Sequence, residues 1–202
     1  MTDDVLSAVP SRRGHFLLES GYHTDVWLTL DAVFAVPARI APLVARLAEK
    51  LSAHHVDAVC GPLLGGAFLA QAIATALCVE FSYTELSPAA AGPGLFSARY
   101  VLPAGLASRA AGQRIAVVDD VISAGSSVRA TIAALTSAGA VPVVVGTLLT
   151  LGPQGVAHFE SRRFPIETLA QRDFHLWTPD ECPLCRAGVA LQDPRQVTPQ
   201  EG

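Results

Sequence analysis

Residues 117–127, with the sequence VVDDVISAGSS, place acidic and small hydroxyl side chains within one turn of chain. Free N–H groups and a positive dipole end at a helix N-terminus suit a phosphate, and a helix is predicted to begin near Ser126. The adjacent acids, Asp119 and Asp120, would repel that phosphate but suit hydroxyl groups, a divalent cation or developing positive charge. We therefore predict a ligand with a phosphate at one end and a cis-diol at the other, as in ribose 5-phosphate.

Strand-like and helix-like patterns alternate along the chain and predict an α/β fold with a mostly parallel sheet. Strands are predicted at 56–60, 79–83, 114–119, 141–151 and 166–170, and helices at 37–51, after the turn 61–66, and at about 126–138. The second helix is predicted to bury Phe68, Leu69, Ala72, Ile73, Ala76 and Leu77. Ligands of such sheets bind beyond the carboxyl ends of the strands, where both 117–127 and the turn GPLLGG (61–66) fall.

Composition excludes several classes of function. The net charge of −4 gives no basic patch for nucleic acid. Ala58 to Val79 carries no charge, but its Gly and Pro residues favour a strand, a turn and a buried helix over a membrane span. Four cysteines do not make a disulfide framework and no apolar signal segment opens the chain, so we expect a cytoplasmic protein.

The pattern VVDDVISAGSS resembles the phosphoribosyl-pyrophosphate (PRPP) motif of the type I phosphoribosyltransferases. The resemblance extends over nearly the whole chain and favours the orotate branch, because GHFLLESGYHTDVWLTLD (14–31) and CPLCRAGVAL (182–191) resemble its terminal segments. It implies an enzyme that transfers 5-phosphoribosyl from PRPP to a pyrimidine base, most simply orotate, with Mg²⁺ bridging pyrophosphate and ribose oxygens.

The same resemblance implies a type I phosphoribosyltransferase fold in one domain, 1–202: a central, mostly parallel sheet flanked by helices. A small hood over the base would come from segments of about 1–36 and 165–195, and a flexible flap from about 84–112. The partners would be PRPP, a nucleobase and a second copy of the chain in a homodimer.

The resemblance also implies roles for individual residues. Asp119 and Asp120 would be catalytic and face the ribose hydroxyls, and no protein side chain is assigned to the metal. PRPP would further contact Val121, Ile122, Ser123, Ala124, Gly125, Ser126, Ser127, Leu64, Gly65, Gly66 and Arg99. The base would contact Ser20, Gly21, Trp27 and Ser123.

Departures from the orotate pattern keep alternatives open, and one of them is Glu19, which stands where a basic residue is often found. Residues 84–98 contain no Lys or His, Gly65 stands where many relatives have Lys, and Leu151 stands where an Arg often meets the orotate carboxylate. Another acceptor base, or a regulatory homologue that binds PRPP or a nucleotide with little turnover, would fit these departures.

The pair Cys182 and Cys185 has the spacing of metal ligands but forms only half of a zinc site. His175 is a candidate third ligand, or two chains could pool their pairs; a structural or incidental pair is the favoured interpretation. His23, four residues before Trp27, is considered as a substrate contact.

Overall fold

The structure is a computed structural model that describes residues 9–87 and 95–194. The strands are β1 (Ser11–Leu17), β2 (His23–Leu28), β3 (Ala58–Pro62), β4 (Glu80–Leu86), β5 (Tyr100–Val101), β6 (Arg114–Ile122), β7 (Val141–Leu151) and β8 (Ile166–Arg172). The helices are α1 (Asp31–Phe34), α2 (Pro37–Ser52), α3 (Gly65–Leu77), α4 (Ala104–Ala110), α5 (Ser126–Ser137), α6 (Gln154–Glu160) and α7 (Pro183–Arg186).

Six strands form the central sheet in the order β5-β4-β3-β6-β7-β8. Every neighbouring pair is parallel except β4 and β5, which confirms the mostly parallel α/β sheet predicted from the sequence. From β3 the chain winds toward β4, and from β6 it winds toward β7. The boundary between β3 and β6 is therefore a topological switch point, where a crevice opens at the carboxyl ends of the strands.

Helices cover both faces of this sheet with apolar side chains. On one face α2 and α3 contribute Leu47, Leu51, Leu69 and Ile73 to a core shared with the sheet. On the other face Val128, Leu135 and Phe159 pack against a second set of strand residues. The sheet is thus buried between two helical layers, which holds its carboxyl edge in a fixed position.

Helix α3 buries a different face from the one predicted. Its buried residues are Gly66, Ala67, Leu69, Ala70, Ile73 and Ala74. Phe68 is 52% exposed and Ala72 is only partly buried, because small residues at 66, 67 and 70 bring the opposite side of the helix close to the sheet. Apolar side chains surround the helix on nearly all sides, so their spacing did not single out the buried face.

Strand β6 is longer than its predicted span of 114–119. It pairs with β7 from Arg114 to Ile122, so Asp119 and Asp120 lie within the strand rather than at its end. The pairing of Val121 with Leu149 and of Ile122 with Thr150 extends the strand, because β7 runs on to Leu151. The expected flap, about 84–112, contains the end of β4, the short strand β5 and helix α4. Residues 88–94 of this region lie outside those described.

Strands β1 and β2 form an antiparallel hairpin apart from the main sheet. The C-terminal segment pairs with both of its strands: Phe16 bridges Gln192 in parallel and His23 bridges Trp177 in antiparallel orientation. Within residues 9–87 and 95–194, no helix has the length and apolar character needed to cross a bilayer.

Candidate active site

Two Gly-rich turns meet at the switch point between β3 and β6. A Cβ at Gly66 would lie 2.8 Å from Asp119 Oδ1, and a Cβ at Gly65 would collide with the Asp120 carboxylate. The turn after β3 therefore packs directly on the acid pair only because glycines occupy 65 and 66. A lysine at 65, the residue that the orotate pattern often has there, would require Asp120 to move.

Asp119 is buried at the bottom of this crevice. Its Oδ2 accepts a 2.6 Å hydrogen bond from Ser127 Oγ, and its Oδ1 accepts one of 3.1 Å from the Asp120 N–H. Burial, together with the neighbouring charge of Asp120, raises the pKa of the Asp119 carboxyl well above its ordinary value. The pair is thus poised to gain from hydroxyl donors or from a cation, either of which would favour its ionised form.

The loop that follows β6 enters α5 at its N-terminus. Gly125 has φ of 76°, the left-handed conformation that glycine adopts most readily, and it turns the chain into the helix. Ser126 and Ser127 form the first turn, where backbone N–H groups lack partners within the helix. A helix N-terminus of this kind suits an anion, and phosphate binding by residues 123–127 stays a prediction.

A cavity of about 330 Å³ opens above these turns. One end holds the acid pair with Ser123, Ser126 and Ser127. The remaining wall is largely apolar and includes Trp27, Leu28, Leu30, Leu151 and Phe174. The volume is at the small end of the usual range for ligand pockets, and its polar and apolar ends suit a sugar phosphate joined to a flat ring.

The charged residues that line this cavity, among those the structure describes, are all acidic: Glu19, Asp119 and Asp120. Glu19 accepts a 2.7 Å hydrogen bond from Tyr100 Oη and one of 3.4 Å from Ser126 Oγ, so it ties the hairpin turn to β5 and α5. Glu19, Tyr100 and Phe174 line the cavity without having been predicted as site residues. Glu19 could have been predicted from the sequence, because it directly precedes Ser20, a predicted base contact.

Most of the predicted site residues line the cavity. They are Ser20, Trp27, Leu64, Gly65, Asp119, Asp120, Val121, Ser123, Ser126 and Ser127. Four predicted residues do not line the cavity: Gly66, Ile122, Ala124 and Gly125. They belong to the two turns, and the side chains of Ile122 and Ala124 are buried in the core.

Two further predicted residues lie away from the cavity. Gly21, with φ of 83°, shapes the hairpin turn. Arg99 lines a separate depression between β5 and α5, together with Ser137.

The histidines considered from the sequence take other places. His23 does not line the cavity; its ring lies 5.0 Å from that of His15. His175, the candidate third zinc ligand, stacks on Trp177 at 5.4 Å and lies 3.4 Å from Asp25. The hypothesis that His175 completes a site with the two cysteines is therefore wrong.

A sequence model of the phosphoribosyl transferase domain matches residues 31–158, which include both turns and the acid pair. The chain belongs to the phosphoribosyltransferase family. The orotate phosphoribosyltransferase of Caldanaerobacter subterraneus subsp. tengcongensis is 31% identical over 90% of this chain and 88% of that protein.

Solved phosphoribosyltransferase structures share the fold. The orotate phosphoribosyltransferase of Aeropyrum pernix superposes with a TM-score of 0.61 at 23% identity, covering 85% of this chain and 93% of that one. The adenine phosphoribosyltransferase of Thermoanaerobacter pseudethanolicus gives 0.68 at 15% identity, covering 85% and 100%. Because enzymes for different bases superpose comparably well, the fold alone does not identify the base.

The acid pair also fits a role with Mg²⁺. This hard cation prefers oxygen ligands and is commonly held by one or two carboxylates together with substrate phosphates. Asp119 and Asp120 supply such oxygens in a cavity whose described lining contains no Lys or Arg. A polyanionic substrate in this acidic cavity needs a positive charge that the described lining does not provide.

Proposed function

We propose that this phosphoribosyltransferase transfers the 5-phosphoribosyl group of PRPP to orotate, giving orotidine 5'-monophosphate and pyrophosphate. The observation that carries the proposal is the position of Asp119 and Asp120 between a serine-rich helix N-terminus and a Gly-rich turn. The similarity to orotate phosphoribosyltransferases over 90% of the chain supports the choice of base.

Substrate binding would follow the polarity of the cavity. N–H groups and hydroxyls of residues 123–127 bind the 5-phosphate, while Asp119 and Asp120 accept hydrogen bonds from the ribose hydroxyls. Leu64 and Gly65 lie on the opposite side of the acid pair and would contact the pyrophosphate. Gly66, Ile122, Ala124 and Gly125 contribute through the backbone shape of the two turns.

Reaction proceeds by exchange of one bond for another at the anomeric carbon. The bond from the anomeric carbon to the pyrophosphate oxygen breaks and pyrophosphate leaves, while the bond to a ring nitrogen of the base forms and that nitrogen gives up its proton to solvent. The carboxylates of Asp119 and Asp120 stabilise positive charge that develops on the ribose, so catalysis rests on positioning and electrostatics without a covalent enzyme intermediate. Mg²⁺, held by these carboxylates and by PRPP oxygens, would neutralise charge on the leaving group.

The base would lie at the apolar end of the cavity beside Trp27. Ser20 marks the polar contact there, because its Oγ is buried and has no hydrogen-bond partner among the described residues. A buried hydroxyl without a partner costs about 1–3 kcal/mol, so a donor or acceptor on the base that meets it would be favoured. Leu151 and Phe174 form the wall on which the ring would pack.

We further propose a homodimer in a cytoplasmic setting, with Mg²⁺ as the cofactor. An apolar groove between α2 and α3, lined by Phe34, Ile40 and the exposed Phe68, supports the dimer. Arg99 does not line the cavity of its own chain, and we propose that it contacts PRPP in the cavity of the second copy. Four free cysteines are consistent with a reducing compartment.

A second candidate function is transfer to a base without a carboxylate. It is favoured by Leu151, which lies in the cavity wall where a cationic partner for orotate would be useful. Burying a carboxylate without a cation or backbone donors is costly, and a neutral base avoids that cost.

Steady-state turnover with PRPP, Mg²⁺ and single bases (orotate, uracil, adenine, guanine) separates these functions. Orotidine monophosphate formation, with little product from the other three bases, supports the first. Ser20→Ala should raise KM for the base several-fold and leave KM for PRPP nearly unchanged, since one hydrogen bond is worth about 0.5–1.5 kcal/mol. Binding of PRPP without turnover on any base would overturn both enzymatic functions.

A further inference from the structure

Outside the cavity, four potential metal ligands converge in the hood. His15 and His23 come from the hairpin, and Cys182 and Cys185 come from the C-terminal segment. One ligand atom from each residue lies within 4.8 Å of all the others. His15 and Cys185 are 170 positions apart in sequence, so distant parts of the chain meet at one point.

Four of the six separations between these atoms are close to those of a tetrahedral metal centre, and the other two are within 4.8 Å. His15 Nε2 lies 3.1 Å from His23 Nδ1 and 3.4 Å from Cys182 Sγ, and Cys185 Sγ lies 3.3 Å from His23 Nδ1. Zinc bonds of about 2.0–2.1 Å to nitrogen and 2.3 Å to sulfur would separate tetrahedral ligand atoms by roughly 3.3–3.8 Å. A Zn²⁺ ion fits at the centre with small side-chain adjustments.

A further hydrogen bond orients one of the histidines for metal binding. His15 Nδ1 lies 2.8 Å from the carbonyl oxygen of Val189, which has no proton to give, so Nδ1 must carry the hydrogen. Nε2 then presents its lone pair toward the cluster. Such second contacts to a backbone carbonyl are the usual way in which proteins orient metal-ligating imidazoles.

Three of the four side chains are shielded from water. His15, His23 and Cys182 are buried, whereas Cys185 is exposed and leaves a route for an ion to enter. Two thiols and two imidazoles form a closed Cys₂His₂ set with no open position for substrate. The set suits Zn²⁺ by ligand type and geometry and indicates a structural role.

We propose that His15, His23, Cys182 and Cys185 bind one Zn²⁺ ion that fastens the β1-β2 hairpin to the C-terminal segment. The backbone already joins these parts on both sides: His23 N–H donates to Trp177 at 2.8 Å and Gln192 N–H donates to His15 at 2.8 Å. The hairpin carries Trp27, and its turn carries Ser20, so the ion would also hold the wall of the cavity beside the base.

Metal analysis of the purified full chain tests the site directly. Elemental mass spectrometry should find about one zinc per chain, which Cys185→Ser reduces at least tenfold after dialysis against a competing chelator. Cys78→Ser is the matched control, because Cys78 is also exposed but lies outside the cluster; it should retain the metal. Zinc at background level in the unmodified chain, with no uptake when Zn²⁺ is titrated, would overturn the proposal.

Two further measurements keep the proposal testable if the serine variant folds poorly. The unmodified apoprotein, reloaded with Co²⁺, should show the visible absorption of a tetrahedral thiolate-ligated ion. A Cys182–Cys185 disulfide found by alkylation and mass mapping of freshly purified protein would contradict the site.

The structural role has its own readout in the chelated protein. The chelator also removes Mg²⁺, so Mg²⁺ is added back before the measurement. Compared with the zinc-loaded protein, the chelated protein should then show faster amide hydrogen exchange selectively in residues 11–28, and added Zn²⁺ should reverse this change. Equal exchange with and without zinc would contradict the fastening role.

Discussion

The acid pair is the residue-scale feature on which the proposed chemistry depends. Asp119 and Asp120 are neighbours in β6, and Asp119 is held by Ser127 from the first turn of α5. Adjacent carboxylates in a buried site repel each other, so their energy improves when substrate hydroxyls or a cation arrive. The free site is thus less stable than the occupied one.

Replacing both acids by Asn should abolish measurable turnover. The amides keep the shape of the carboxylates but cannot stabilise positive charge, and one preorganised electrostatic contact is typically worth about 10²–10³-fold in kcat. Circular dichroism and thermal unfolding should show an intact fold. Asp180→Asn, at an exposed carboxylate, is the matched control and should retain activity. Activity that survived in the double variant would refute the role assigned to the pair.

The raised pKa of Asp119 predicts a distinctive pH dependence of stability. Between the unfolded-state pKa of about 3.9 and the raised folded-state pKa, the native state binds more protons than the unfolded state. The free energy of unfolding should therefore fall as pH rises through that window. Urea unfolding at a series of pH values should show this slope in the unmodified chain and a smaller slope in Asp119→Asn. Parallel curves would contradict the assignment.

A site residue could be predicted from the sequence when it belongs to a short continuous motif, and not when only tertiary packing brings it to the site. Asp119, Asp120, Ser126 and Ser127 belong to one short motif, and all four line the cavity. Phe174 reaches the same cavity only through tertiary packing of the C-terminal segment. His15 and His23 were not predicted to join the cysteine pair for the same reason, since their hairpin is brought to the C-terminal segment only by tertiary packing.

At the scale of elements, the turn between β3 and α3 determines how closely backbone approaches the acids. Gly65 and Gly66 allow that approach because any Cβ there meets a carboxylate. Their conformations do not require glycine, as neither has a positive φ. Contact with Asp120 is therefore the physical reason for glycine at 65, and at 66 the space is closed by Pro62 and Val118 as well as by Asp119.

Gly65→Ala should lower kcat/KM by at least tenfold with little loss of stability. The methyl group would displace the Asp120 carboxylate, while alanine at the start of a helix is well tolerated. Gly105→Ala in α4 is the matched control, since its Cβ would meet nothing within 4 Å. Kinetics and thermal unfolding of both variants check this prediction, and equal activity in the two would argue against contact between the turn and the acids.

The elements themselves were predicted unevenly. Helix α2 and strand β7 matched their patterns closely, because α2 has one apolar face and β7 is apolar throughout. The β1-β2 hairpin was not predicted, since its strands mix polar and apolar residues and it pairs with a segment more than 150 residues away. Long-range pairing of this kind leaves no local periodicity.

At the scale of the whole molecule, the proposed homodimer would supply a cation that the described lining of the cavity lacks. Arg99 lies beside Tyr100, whose side chain lines the cavity, but Arg99 itself faces a different depression. In a symmetric dimer the same residue of each copy serves the other. Such an arrangement makes activity depend on chain pairing.

Tandem-tagged heterodimers of Arg99→Ala and Asp119→Asn/Asp120→Asn chains should regain about half of the wild-type activity, because one site in each dimer then has both acids and a donated arginine. The matched control pairs a wild-type chain with one that carries all three changes, and it should be inactive. The reverse pattern, with an active control and an inactive mixed dimer, would show that Arg99 acts within its own chain.

Transfer of phosphoribosyl to orotate can be measured with the purified protein, PRPP, Mg²⁺ and orotate, by quantifying orotidine 5'-monophosphate and pyrophosphate with mass spectrometry. We expect both products in equal amounts, at a rate that is proportional to the enzyme concentration and that is lost in the Asp119→Asn/Asp120→Asn variant. Pyrophosphate without the nucleotide, or neither product while another base is converted, would contradict transfer to orotate.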